Sequence, residues 1–229
     1  MSYYHKYIHS FWLPLLALIG ILIVRTIGII NGSRIIYKVF PYITYLIIFS
    51  IGISLIINLS RKNWTHAVLK LIISLFLILF FFIIVNPTDL FFSNLDIPKN
   101  IKYEKPVNLN SLSIDSIKKN KSYNENFYLS GELGIYETIV WIKPKEDGEI
   151  YLRAFEEVGN IELSASRLKE RSKVRVTKNE LTLYNQDFTI YEGVWEKYYI
   201  ARIEIWMNPK VGQDYKLKDK VFLIDGWVR

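Results

Sequence analysis

The chain contains no cysteine. Disulfides, thiolate nucleophiles, haem thioethers and every cysteine-based zinc site are therefore excluded. Histidine is nearly as scarce: His5, His9 and His66 all fall in the first third. From residue 67 onward no imidazole is present to activate a serine, and no HExxH motif can form. His5 and His9 have the i, i+4 spacing of a helical metal pair, but they lie just ahead of an apolar run and read as interfacial polar residues. No metal site and no cofactor is expected. A Gly-rich loop able to cradle phosphate is missing, as is any repeat with a period of about 20–50 residues.

Acidic residues are missing from one region only. Residues 1–89 hold seven Lys or Arg and a single carboxylate, Asp89, whereas 90–229 hold 22 basic and 21 acidic groups. The formal net charge of +7 thus belongs almost wholly to the first part. Nucleic-acid binding needs basic side chains gathered on a folded surface, so no nucleic-acid partner is expected.

The first part is built from three apolar runs, Phe11–Ile30, Val39–Leu59 and Ala67–Val85. Each approaches the roughly 20 residues that cross a ~30 Å hydrocarbon layer as a helix. A core helix of a soluble protein would carry a polar stripe, and the third run shows none. Three transmembrane helices are predicted within residues 1–89, at about 11–30, 39–59 and 67–85, with the lipid bilayer as their surroundings. A cleaved signal peptide fits poorly, because the start is charged only at Lys6 and no A-x-A-like site follows. Asn31-Gly32-Ser33 reads as a turn instead. Lys6, Arg61, Lys62 and Lys70 fall on one side and Arg34 and Lys38 on the other, which places the N-terminus in the cytoplasm and the C-terminal part outside it. The heavy use of Ile, Lys and Asn resembles an AT-rich bacterial genome, so the expected site is a bacterial inner membrane.

Arg25 is the one charge well inside a predicted span and is a candidate partner contact. Its long stem also suits snorkelling beside Thr44 and Tyr45 of the next helix. Spans two and three contain no Asp or Glu, which argues against ion or proton transport. Ser50-Ile-Gly-Ile-Ser54 is a small-xxx-small pattern that permits close helix approach, within the unit or between two copies in a homo-oligomer.

Residues 90–126 read as a polar linker, with one short helix starting near Ser111 and a lysine run at Lys118-Lys119-Asn120-Lys121. Residues 127–229 switch to period-two alternation. Tyr136, Thr138, Val140 and Ile142 share one face, as do Ile150, Leu152 and Ala154, and a Pro144–Gly148 turn between them predicts a hairpin. Ala201, Ile203, Ile205 and Met207 alternate with Arg202 and Glu204, and further strands are predicted at 171–177, 188–191 and 221–228. Leu163–Arg171 reads as a short helix on a connection. Six to eight strands in about 100 residues predict an all-β sandwich, with Trp141, Trp206 and Trp227 as core candidates.

Two surface features stand out. Arg167, Lys169 and Arg171 form a basic run, and Tyr191, Trp195 and Tyr198 form an aromatic rim of the kind that anchors interfaces. The expected function is a non-catalytic, membrane-tethered extracytoplasmic binding module, a subunit of an envelope complex with an unidentified protein partner. Two alternatives are an immunity-type protein that neutralises a membrane-active toxin, and an envelope enzyme that uses carboxylates alone. Glu156 and Glu157 are the nearest carboxylate pair for the latter, but adjacent strand residues point to opposite faces.

Overall fold

A computed structural model describes residues 10–84, 91–107 and 127–227. The chain divides into two compact units, Met1–Asn94 and Leu95–Arg229.

The first unit consists of helices α1 (Trp12–Ile30), α2 (Arg34–Ser60) and α3 (Trp64–Ile84). The Asn31–Ser33 turn forms as the sequence predicts. Gly32 takes a φ of 63°, and Ser33 caps α2 by accepting the Ile36 N–H at 3.5 Å. This cap starts α2 before its apolar run, so Arg34 to Lys38 become helical. A Cβ on Gly28 would lie 2.4 Å from the Ile36 side chain, so glycine is what lets α1 and α2 approach beside their turn. Leu18, Leu22 and Ile51 form the small core of the unit. Most apolar side chains point outward instead: Leu46 is 67% exposed, Phe49 68% and Phe76 65%. Helices α1 and α2 are long and apolar enough to cross a membrane; the apolar stretch of α3, Trp64–Phe80, is shorter.

One position departs from the sequence reading. The charge pattern counts Lys70 with Lys6, Arg61 and Lys62 on one side of the membrane, yet its side chain is fully buried among the helices. Its ammonium donates to Ser54 Oγ at 2.8 Å and to the Ser10 carbonyl at 3.0 Å, and lies 5.6 Å from the Phe11 ring centroid. Ser54, read as a residue for close approach, is thus also a polar partner. Periodicity could not show this, because a lysine near the start of an apolar helix snorkels unless another helix supplies acceptors.

The second unit contains two antiparallel sheets. Strands β1 (Phe127–Glu132), β2 (Ile135–Ile142) and β6 (Thr182–Thr189) form one, in the order β1-β2-β6. The other joins β4 (Ile161–Leu163), β3 (Gly148–Glu156), β7 (Tyr199–Pro209) and β8 (Tyr215–Ile224), with β5 (Val174–Val176) also pairing β3. Helix α4 (Ala165–Arg171) lies between β4 and β5. The β1–β2 hairpin closes through Leu133 and Gly134, both at positive φ (55° and 78°), the geometry of a two-residue type I′ turn.

The predicted 136–154 hairpin does not form. β2 and β3 lie in different sheets, and the 143–147 connection passes between them. It docks on the 177–180 loop instead, where Lys178 N–H donates to Asp147 Oδ1 and Asn179 N–H to the Pro144 carbonyl. Both faces of β3 carry buried side chains, Leu152 and Ala154 on one and Tyr151 and Phe155 on the other, so it suits a central strand. Of the predicted strand at 221–228, only residues 221–224 are strand, as the end of the longer β8, which stops at Ile224, and the predicted strand at 188–191 overlaps only the end of β6.

The alternation readings hold for Tyr136, Thr138, Val140 and Ile142, and for Ala201, Ile203, Ile205 and Met207, all of which are buried. The tryptophan expectation does not hold. Trp141, Trp206 and Trp227 are only half-buried, and the largest buried side chains are Tyr136, Tyr151, Tyr184, Tyr199, Phe127 and Phe222. The alternation that sends Ile205 inward sends Trp206 to the outer face, where its indole N–H meets Glu204 at 2.7 Å.

Part of the predicted linker is docked. Glu104 bridges Phe222 of β8 and Val107 bridges Ser130 of β1. The Ser111 helix and the Lys118–Lys121 run lie outside the described residues.

Candidate functional site

The site is assembled from two sequence features that lie some twenty residues apart. Ser164 precedes α4 in a left-handed conformation, φ 50°. Its N–H and hydroxyl both donate to the Glu192 carboxylate at 2.9 Å, and its hydroxyl oxygen accepts the Tyr191 N–H at 3.0 Å. The Tyr199 hydroxyl, fully buried, donates to the Glu192 carbonyl at 2.9 Å. Three hydrogen bonds thus clamp the start of the 191–198 loop to the start of α4, and the Tyr199 hydroxyl ties the same loop to β7. Burial and the nearby Glu192 push the Tyr199 phenol well above its ordinary range, so it remains a donor.

The clamp brings Arg167, Arg171 and Tyr191 together. The Arg167 guanidinium lies 5.1 Å from the Tyr191 ring centroid, and Arg171 Nη1 donates to the Tyr191 hydroxyl at 3.4 Å. Both arginines are exposed, and with Leu168, Phe188 and Thr189 they line a groove of about 110 Å³. Arg167 and Arg171 are i, i+4 and share a helix face. Lys169 does not share it. It pairs with Asp214 at 3.2 Å and lies 4.5 Å from the Tyr151 ring centroid. The Tyr151 hydroxyl donates to Asp214 at 2.7 Å, and that bond, reinforced by Lys169, holds the Asp214 carboxyl below its ordinary range. The basic run in the sequence is therefore an arginine pair facing Tyr191 and a lysine used elsewhere.

Trp195 and Tyr198 lie further along the same loop. They are 43% and 49% exposed, and Trp195 meets Trp227 edge-to-face at 5.8 Å. Buried Asp225 holds this end through its carboxylate, which accepts the Glu196 N–H at 3.2 Å, the Gly134 N–H at 3.2 Å and the Tyr136 hydroxyl at 2.5 Å. Burial and then the bond to Asp225 push the Tyr136 phenol far up. Arg25 belongs to the helical unit, where Tyr37 and Tyr45 are its electrostatic neighbours.

Sequence reasoning missed Ser164, Glu192, Asp225 and Ser172. Ser172 fills the gap that α4 makes in the edge of β3. Its hydroxyl accepts the Leu152 N–H at 2.8 Å, and its carbonyl accepts the buried Tyr184 hydroxyl at 2.7 Å. A second network covers the outer face of β3, β7 and β8. Buried Glu204 accepts from Arg202 and Trp206, both at 2.7 Å. Burial alone would raise this carboxyl, but the bonds from Arg202 and Trp206 outweigh burial and hold it below the ordinary range. Glu156 and Glu157 do not form a carboxylate pair: Glu156 caps the Val158 and Gly159 N–H groups, and Glu157 pairs with Arg202. Among the described residues no group of three potential ligands is placed to hold a metal ion.

Family models, curated proteins and solved structures yield no match to this chain. Its function is read from its own residues.

Proposed function

We propose that the chain is a non-catalytic, membrane-tethered binding module and a subunit of a bacterial envelope complex. Three transmembrane helices anchor it, with the N-terminus in the cytoplasm. The two sheets pack as a β-sandwich outside the cytoplasm and present the Arg167–Arg171–Tyr191 groove and the Trp195–Tyr198 loop to a protein partner. The observation that carries this reading is the clamp: three hydrogen bonds between Ser164 and residues 191–192 fix an exposed arginine pair beside an aromatic ring. Rigid aromatic and arginine side chains are what interfaces concentrate their binding energy in. The outward-facing Leu46, Phe49 and Phe76, with many other exposed apolar side chains on the same helices, support the anchor, since a water-soluble protein rarely leaves this much large apolar surface open to water.

The absence of cysteine makes the test direct. Single reporters Asn63→Cys and Gln213→Cys occupy exposed loops, one in each unit. A membrane-impermeant maleimide should label Gln213→Cys in intact spheroplasts and Asn63→Cys only after lysis. A photo-crosslinking residue at Tyr198 should then join one envelope protein. The reverse labelling pattern overturns the topology, and a silent position 198 overturns the contact surface.

A further inference from the structure

Edge strands leave main-chain donors and acceptors unpaired, and proteins that do not use them blunt them with charge, proline or a cover. The sheet unit treats its edges unequally. On β8, Glu104 covers residues 221–223, and Lys216, Lys218, Asp219 and Lys220 crowd the rest. The outer side of β1 carries the Val107 bridge. β6 ends its sheet with the sequence TLYNQDFT, which has no lysine, arginine or proline.

The register identifies the free groups. Ile190 N–H donates to the Gly134 carbonyl, one step beyond the Ile135–Thr189 pair. Alternate pairs exchange bonds in an antiparallel ladder, so Phe188, Gln186 and Tyr184 use theirs on β2. The main-chain groups of Leu183, Asn185, Asp187 and Thr189 point away from β2. Among the described residues they have no main-chain partner; the Gln186 side chain alone reaches one of them, the Asn185 carbonyl, at 2.6 Å.

At the Thr189 end this edge runs into the groove that holds Arg167 and Arg171. Neither arginine forms an ion pair among the described residues, while Lys169 between them has taken Asp214. Asp187, opposite Glu137 on β2, also lines this groove, but it forms no ion pair with either arginine, so the pair of guanidinium charges still outnumbers the one carboxylate there.

We infer that β6 takes an extended acidic segment of a partner protein as an added strand. The segment pairs with the main chain of residues 183, 185, 187 and 189 and seats a glutamate or aspartate side chain on Arg167 and Arg171. This rests on the binding-module reading and names the chemistry of its partner. Main-chain pairing supplies affinity and the arginine pair supplies the charge preference.

The probe is an end-blocked octapeptide of alternating valine and glutamate, titrated against the full chain in detergent micelles. It should bind, and a valine–lysine octapeptide should not. N-methylation of one alternate set of amides should abolish binding while the other set tolerates it, because only one set faces β6. Exchange of the Leu183, Asn185, Asp187 and Thr189 amides should slow in the complex. The double variant Arg167→Glu, Arg171→Glu changes two exposed residues and should keep the wild-type unfolding midpoint while binding at least about tenfold more weakly. Equal binding of the lysine peptide, indifference to both methylation patterns, or unchanged amide exchange overturns the inference, as does binding that requires a free C-terminal carboxylate. If position 198 crosslinks a partner but the peptide fails, the binding module stands and the edge does not; if both fail, both readings fall.

Discussion

Replacing Asp225 with alanine should unfasten the end of the sheet unit that carries the aromatic loop. The carboxylate receives the Tyr136 hydroxyl at 2.5 Å and the Gly134 and Glu196 N–H groups at 3.2 Å. A hydrogen bond to a charged group contributes about 1.5–3 kcal/mol, and an orphaned buried donor costs about 1–3 kcal/mol. The three donors do not suffer equally. Tyr136 keeps the Asp225 carbonyl at 3.1 Å, and the Glu196 N–H is near enough to the surface to find water. The buried Gly134 N–H loses its carboxylate outright. The sum is about 3 kcal/mol, a large share of the roughly 5–15 kcal/mol that holds a domain folded. At a urea slope of about 2 kcal/mol per molar, the midpoint falls by about 1.5 M. The full chain in micelles is titrated with urea and followed by tryptophan emission, because Trp195 and Trp227 sit beside this anchor. Tyr136→Phe and the double variant complete a cycle whose coupling should be about 1.5–2 kcal/mol. A coupling under about 0.5 kcal/mol, the level of independent sites, would refute the anchor.

Other outcomes follow from the same geometry. Ser172→Ala should destabilise the sheet unit by about 1–3 kcal/mol and speed exchange at the Leu152 amide, which loses its acceptor. Glu204 is held below its ordinary range in the fold, so its contribution is complete above the unfolded-state pKa near 4.5 and is lost as pH falls through the lower folded value. Unfolding midpoints measured from pH 6 downward should therefore drop, and Glu204→Gln should flatten that drop. Lys70→Met keeps a similar volume without a buried charge and should leave the helical unit at least as resistant to thermal unfolding in micelles, whereas Lys70→Ala should weaken it by about 2–5 kcal/mol through the cavity it opens. Equal melting of the two Lys70 variants would count against this account of the buried lysine.

The candidate site was half legible in the chain. Arg167, Arg171 and Tyr191 were visible as residue types suited to binding, and α4 was visible from the Leu163–Arg171 stretch. Their convergence was not, because it depends on Glu192 reaching Ser164 across 28 positions. Asp225 was invisible for the same reason: it lies 91 positions from Gly134, and nothing local distinguishes it from a surface aspartate. Lys169 shows the converse, since helical spacing already separates it from Arg167 and Arg171 by turning successive residues about 100° around the axis.

The amino-acid sequence alone decided where the apolar, acid-free helices end and where period-two strands begin, because each residue's preference for oil or water and for helix or strand acts locally and sums along the chain. It also decided which side chains of β2 and β7 turn inward, since strand alternation needs no knowledge of the partner. Only the tertiary structure decided that β2 and β3 part into separate sheets, that Lys70 is enclosed by Ser54 and Ser10, and that the odd-numbered groups of β6 face outward. Those outcomes depend on pairings between distant residues, where two segments with equally good local patterns compete for the same neighbour and packing chooses between them.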